Sequence, residues 1–208
     1  MTNQPNTAIG DTKLYRLIYA DPPWARNQLG KRGAINHYKL MDLDAIKGMA
    51  PAIEALSAED SVLLLWVTNS GLQDGLDVVK AWGFRYVGNA VWDKYLMGLG
   101  EHFRGSHELL LVGVKGRAKA RFHGQKSVLQ FPRTAHSAKP TEMASLIERM
   151  YAGPYLELFA RRQPNSIEDW DWWGDECDAT ISLAPWGYPV PSDKNLATPN
   201  TEVEDVRA

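Results

Sequence analysis

Asp21-Pro22-Pro23-Trp24 puts a carboxylate, two imino acids and an indole in a row, directly after the apolar run Leu14-Tyr15-Arg16-Leu17-Ile18-Tyr19-Ala20. Such a run reads as a buried parallel strand. Proline has no N–H and a fixed φ, so the turn is stiff and its carbonyls stay available as acceptors. A carboxylate, acceptor carbonyls and a flat ring together suit the gripping of a planar amino group. In open α/β sheets ligands bind just beyond the carboxyl ends of the strands, which is where this segment falls.

Two other stretches carry compatible chemistry. The strand-like Tyr155-Leu156-Glu157-Leu158-Phe159-Ala160-Arg161 ends in charged residues, and Trp172-Trp173-Gly174-Asp175-Glu176 follows it. An acid after the second strand of a nucleotide-binding unit commonly takes ribose hydroxyls, and the spacing from Glu157 to Glu176 fits that use. Lys139-Pro140 opens a helix with proline in its first turn and Ser137 or Thr141 available as a cap, so its amino end can receive an anion.

The elements that must hold these groups alternate along the chain. We expect strands at about 14–20, 61–68, 84–93, 108–114, 127–131, 154–160 and 169–173, and helices at about 42–57, 70–82 and 140–151. This pattern is α/β: a mostly parallel sheet with a hairpin insertion. Residues 1–12 are polar and aperiodic, and 178–208 carry Pro185, Pro189, Pro191 and Pro199 among small polar residues. One domain over 13–177 is therefore expected between a flexible N-terminal tail and a Pro-rich C-terminal tail, with Trp186 and Tyr188 able to dock the start of the latter. The connections Ala25–His37, with Arg26, Lys31 and Arg32, and Lys94–His107, with Gly98, Gly100 and Gly105, are long. We expect them to close over a substrate.

Composition narrows the function classes. The 208 residues carry a formal net charge of −2, which argues against a protein that merely coats nucleic acid. No stretch is long and apolar enough for a membrane span, and Met1-Thr2-Asn3-Gln4-Pro5 lacks a signal pattern, so a cytoplasmic location is expected. Cys177 is the single cysteine and the five histidines show no ligand spacing; we expect no disulfide and no metal. The charges are segregated: from Leu109 to Thr141 there is no acid. Lys115, Arg117, Lys119 and Arg121 alternate with small residues there, and on an extended ribbon they would form one cationic face able to follow a phosphate backbone.

Taken together, the chain resembles the adenine-N6 methyltransferase family that includes the catalytic subunit of the eukaryotic mRNA adenosine methyltransferase, within the β-class amino-methyltransferases. The matching pieces are Asp21-Pro22-Pro23-Trp24, Tyr38-Lys39-Leu40-Met41, Leu63-Leu64-Leu65-Trp66-Val67-Thr68, Val112-Gly113-Val114-Lys115-Gly116, His136-Ser137-Ala138-Lys139-Pro140, Ile147-Glu148-Arg149-Met150, Glu157-Leu158-Phe159-Ala160-Arg161 and Trp173-Gly174-Asp175-Glu176. The resemblance implies a Rossmann-like fold in circularly permuted order, the catalytic strand preceding the cofactor strands, with S-adenosylmethionine as methyl donor. It makes Asp21, Pro22, Pro23 and Trp24 the catalytic segment and Lys139 a ligand of the cofactor carboxylate. It sets Asp21, Glu157, Phe159 and Arg161 around the cofactor, and Asp175 and Glu176 where the family has Asn-Gln or Asn-Glu beside ribose and adenine. Arg162-Gln163-Pro164-Asn165 replaces the eukaryotic Pro-His-Asn, leaving Asn165 or Gln163 for a ribose contact. The glycine-rich loop found after the cofactor strand in many β-class relatives is missing after Phe159.

Tyr38 matches a family tyrosine near the target base, and Lys94 follows Val91-Trp92-Asp93 where the family has a lysine. Glu108 is a candidate for contact with a flanking nucleotide, while Trp66 reads as core. The expected activity is methylation of the exocyclic N6 of adenine, with base flipping and within a short specific sequence; DNA is favoured because a single cysteine rules out a zinc-finger pair for RNA, and a homodimer is expected because one domain this small offers little surface for reading a sequence. The alternatives are an RNA adenine-N6 or cytosine-N4 methyltransferase, or a catalytically silent nucleic-acid-binding partner subunit. Intact Asp21-Pro22-Pro23-Trp24 and Lys139 speak against the silent partner.

Overall fold

Adjacent residues on a strand face opposite sides of a sheet, so a strand apolar throughout must be covered on both. The strand Ser57–Thr68 shows this directly. Its Leu63, Leu65 and Val67 enter one buried cluster and its Val62, Leu64 and Trp66 enter another. The structure, a computed structural model, describes residues 13–25, 40–100, 102–132 and 138–196.

Among the described residues seven strands form one sheet: β1 (Tyr15–Ala20), β2 (Ser57–Thr68), β3 (Arg85–Asp93), β4 (His107–Lys115), β5 (Val128–Gln130), β6 (Tyr155–Leu158) and β7 (Trp170–Trp173), in the order β5-β3-β4-β2-β1-β6-β7. β1 pairs in parallel with β2 and β6, β6 with β7, and β3 with β5. β4 runs antiparallel to both of its neighbours, β2 and β3. The helices α1 (Leu43–Lys47), α2 (Ala50–Leu56) and α3 (Leu72–Ala81) supply Ile46, Ile53, Val78 and Val79 to one cluster. Helix α4 (Met143–Met150) covers the other face with Met143 and Ile147. No described helix is long and apolar enough to cross a membrane.

The mixed, mostly parallel sheet is the expected one, with four local differences. The helix expected over 42–57 is two helices, because α1 is capped at Gly48 and Pro51 opens α2 without an N–H to extend the preceding turn. The hairpin is β3–β4, joined by residues 94–106, and not the basic stretch after Lys115. Residues 116–126 are turn and irregular backbone: Gly116 takes φ 62° and ends β4. The segment from 178 is not free, since Ala179, Leu183 and Val190 are buried against the α1–α3 face and the chain reaches α5 (Asp193–Leu196). Tyr188 secures it by donating its hydroxyl to the Ala45 carbonyl at 2.9 Å.

Helix α3 approaches the sheet closely at Gly75. A Cβ there would overlap the Val67 side chain and lie 2.9 Å from Leu111 Cδ1. Gly75→Val is expected to destabilise the fold by about 1–3 kcal/mol through overpacking. A urea midpoint at or above that of the parent protein would contradict this packing.

Candidate active site

β1 is flanked by strands reached in opposite directions along the chain, and its carboxyl end is therefore a switch point where a crevice opens. Asp21 leaves β1 at that point. Trp66–Thr68 arrive at the end of β2, Phe159–Arg161 after β6, Asp175 and Glu176 after β7, and Glu108 from the amino end of the reversed β4. These residues, with Pro22, Pro23, Trp24 and Lys139, line a cavity of about 490 Å³, within the usual range for small-molecule sites. A second cavity of about 110 Å³ shares Asp21, Lys139, Phe159 and Arg161 with the first and adds Tyr19, Glu157 and Asn165.

The wall between the cavities depends on one strained residue. β6 ends at Leu158 because Phe159 takes φ 62°, a left-handed conformation that costs a bulky residue on the order of 1–3 kcal/mol. Its ring stands edge-on to Trp173, with centroids 5.4 Å apart. Gly174 lets the ends of β6 and β7 close together, since a Cβ there would overlap the Ala160 carbonyl. The Ala160 N–H donates to the Trp173 carbonyl at 2.9 Å, and Arg161 pairs with Glu176 at 3.4 Å. The buried Trp173 indole N–H has no hydrogen-bond partner among the described residues, although Trp173 lines the larger cavity.

Asp21 is held by Lys139, whose ammonium donates to both carboxylate oxygens at 2.7 Å. The same ammonium lies 3.3 Å from Glu108 Oε2, and Lys94 pairs with the other Glu108 oxygen. Burial pushes the Asp21 carboxyl up from its ordinary value against the pull of Lys139. Burial disfavours the Lys139 charge, but Asp21 and Glu108 outweigh it and hold the ammonium above the ordinary lysine value. The Trp66 ring lies 5.6 Å from that ammonium, and its indole N–H donates to the Tyr19 hydroxyl at 2.7 Å.

Several expected roles are altered by their partners. The Pro22 carbonyl accepts the Trp24 N–H and the Pro23 carbonyl accepts the Met41 N–H, each at 2.9 Å, so these carbonyls are not wholly free. Each keeps one lone pair. The Trp24 indole donates to the Trp66 carbonyl at 3.1 Å and is fixed in the cavity wall. Lys94 lines neither cavity; it pairs with Glu108 and lies 4.8 Å from the Trp92 ring centre.

The cationic ribbon does not form. Lys115 pairs with Glu54 at 2.9 Å, the backbone N–H of Arg117 donates to Asp60 at 2.6 Å in the turn that ends β4, and the Arg121 guanidinium bonds the Glu148 carbonyl. Lys115 stands at the opposite end of β4 from Glu108, about 24 Å away at the usual rise of a strand. Lys119 lies in the same irregular stretch. Tyr38 falls outside the described residues, as do Arg26, Lys31 and Arg32.

Three contributors escaped the sequence reading. Trp66, read as core, lines the cavity as well; Trp173 offers its unpaired donor; and Gly187–Pro189 close one side. The aromatic pair Trp186 and Tyr188 was the available signal for the last of these.

An open, mostly parallel sheet thus carries a carboxylate–Pro–Pro–aromatic turn at its switch point, facing an aromatic and acidic wall. The chain matches the MT-A70 family over residues 15–176, and it belongs to that family. MT-A70 methyltransferases use S-adenosylmethionine as methyl donor. The chain is 31% identical over 188 residues to the type II methyltransferase M.MunI of Mycoplasma sp, covering 79% of this chain and 78% of that protein. It is 28% identical over 184 residues to the human N(6)-adenosine-methyltransferase catalytic subunit METTL3, covering 82% of this chain and 30% of METTL3. A Drosophila melanogaster N(6)-adenosine-methyltransferase MT-A70-like protein is 29% identical over 182 residues, 82% of this chain and 28% of its own length. The chain thus spans less than a third of these two animal relatives.

Glu157 gives a test of site electrostatics. Burial, reinforced by the Asp21 charge, raises its carboxyl to about 7. The folded protein then holds a proton that the unfolded chain has released, so this group's contribution to stability falls as pH rises from 4.5 through about 7. Glu157→Gln removes that penalty, and its stability relative to the parent is expected to be higher at about pH 8 than at about pH 5 in urea titrations. An identical difference at both values would show that Glu157 titrates as an ordinary carboxyl.

Proposed function

We propose that this chain transfers a methyl group from S-adenosylmethionine to the exocyclic N6 of adenine in DNA, within a short specific sequence and on a base turned out of the stack. The observation that carries the reading is Asp21-Pro22-Pro23-Trp24 opening on the same cavity as Phe159, Asp175 and Glu176. Likeness along most of a type II methyltransferase favours DNA, whereas the relatives named for adenosine are matched over under a third of their length.

The residues present fit the cofactor. Lys139, expected at its carboxylate, already bonds both Asp21 oxygens and approaches Glu108, while Phe159 offers a flat wall and Asp175 and Glu176 offer acceptors for ribose hydroxyls or the adenine amino group. The unpaired Trp173 N–H is a buried donor waiting for an acceptor. Glu157 and Asn165 would meet the part of the ligand that enters the smaller cavity. When bound, the cofactor supplies an electrophilic methyl carbon on a sulfonium.

The chain's own residues handle the amine. Its lone pair is delocalised into the adenine ring, and it becomes nucleophilic only as the nitrogen pyramidalises and gains positive charge. The Asp21 carboxylate and the remaining lone pair of the Pro22 carbonyl accept the two N–H bonds, an attraction that grows toward the transition state. The Trp24 indole, held by the Trp66 carbonyl, sets the plane against which the base packs. Extruding the base from a duplex costs a few kcal/mol, offset by these contacts.

Asp21→Ala is expected to bind S-adenosylmethionine near-normally while methyl transfer falls by at least about 10²–10³-fold. Near-normal turnover would refute the mechanism. Assays on matched DNA and RNA oligonucleotides decide the polymer, and preferential methylation of RNA would remove DNA as the substrate.

We also propose a homodimer. The β3–β4 loop, expected to close over substrate, holds Leu96, Met97, Leu99 and Phe103 at 61%, 76%, 89% and 91% exposure. Backbone bonds between Gly98 and Gly105 at 2.7 Å and between Gly105 and Leu99 at 3.1 Å brace it. An apolar patch of this kind is characteristic of a surface that another protein covers. Light scattering should give a dimer for the parent protein and a monomer for the Leu99→Ser/Phe103→Ser variant; a monomeric, fully active parent would exclude it.

A further inference from the structure

We propose that Glu108 is a positioning residue for methyl transfer, keeping Asp21 available to substrate by sharing the charge of Lys139. The inference rests on the adenine-methyltransferase reading above. Lys139 carries three N–H donors, and two of them go to the two oxygens of Asp21. A carboxylate clasped in this way keeps a second lone pair on each oxygen, but the cation draws on its charge, and only 23% of its side chain is exposed. For Asp21 to accept strongly from an incoming amino group, part of that ammonium's charge must find compensation elsewhere.

Water is a poor source, since the Lys139 side chain is only 16% exposed. Glu108 is the source the geometry provides. Its Oε2 lies 3.3 Å from the Lys139 nitrogen, close enough to become a full hydrogen-bonded pair with a small shift of the ammonium. Lys94, braced over the Trp92 ring, holds the other Glu108 oxygen and so fixes the carboxylate. The reversal of β4 is what brings this acid to the pocket, opposite Thr68 of β2 and Trp92 of β3. Four charges of alternating sign, Asp21, Lys139, Glu108 and Lys94, thus run along the wall of the larger cavity and behind it. Loss of the Glu108 charge leaves Asp21 as the counter-charge of Lys139, and the amino group then meets a more tightly held, weaker acceptor.

The test measures kcat, DNA KM, cofactor affinity and thermal stability for Glu108→Gln and Glu108→Asp. Glu108→Gln should lower kcat by about 10²-fold, with KM and cofactor affinity within about threefold of the parent, and Glu108→Asp should recover part of the rate. A kcat for Glu108→Gln within about twofold of the parent overturns the proposal, as does a loss of cofactor affinity matching the loss of rate or a Glu108→Asp variant no better than Glu108→Gln. Should Glu108→Gln fail to fold, Lys94→Met carries the test: a selective loss of kcat supports the proposal, and an unchanged kcat overturns it. The adenine-methyltransferase reading fails separately, if the parent protein itself methylates neither DNA nor RNA adenine.

Discussion

A carboxylate at the end of a central strand, with little water around it, has to be paired, and the pairing of Asp21 with Lys139 organises the rest of the site. An isolated buried charge would take up a proton or be excluded from the fold. Lys139 answers it from the segment before α4, on the far side of the chain. That pairing in turn places a cation against the Trp66 ring and beside Glu108, so one requirement at one atom gathers four sequence-distant segments. Such a pair adds little net stability, because desolvation consumes most of its Coulombic gain. Its place at the mouth of a cavity fits the amine-gripping role proposed for the carboxylate.

The topology makes the pairing possible. With β1 between β2 and β6, the strands that carry Asp21, Trp66 and Phe159 end side by side at one edge of the sheet. The antiparallel β4 then does what a parallel strand could not: it brings the start of a strand, Glu108, to the edge where the others finish. The same reversal carries Lys115 away to the opposite edge, where Glu54 neutralises it. One change of direction thus adds an acid to the site and removes a cation from it.

The legible parts of the sequence were those in which a local rule and the global fold agree. Leu17–Ala20 is apolar throughout because both sheet faces are covered there, and Asp21-Pro22-Pro23-Trp24 follows with a backbone that can do little but turn. Phe159 was harder: glycine at a left-handed position announces a turn, whereas phenylalanine in the same conformation reads as more strand. The basic stretch misled because alternation implies a face only if the backbone stays extended, and Gly116 bends it at once. The prolines of 185–191 signalled a tail, but Leu183 and Val190 are the residues that decide, and two apolar side chains give no periodicity to read. The strand-end residues that line the cavity were accordingly legible in the chain, while the pairing of Lys139 with Asp21 and Glu108 was not.

Strain and pairing act together in the wall between the two cavities. Phe159 holds its left-handed conformation because its neighbours leave it no alternative: Ala160 is tied to the Trp173 carbonyl, and the absence of a side chain at Gly174 allows that approach. Relaxing Phe159 toward an extended conformation would continue β6 and redirect Arg161 away from its partner Glu176. The ring also borders both cavities, alongside Asp21 and Lys139. A glycine-rich turn would reach the same place at lower conformational cost but with no wall for a ligand to pack against. A strained aromatic at this position therefore gives up some stability for a rigid surface beside the ion pair, between the two cavities.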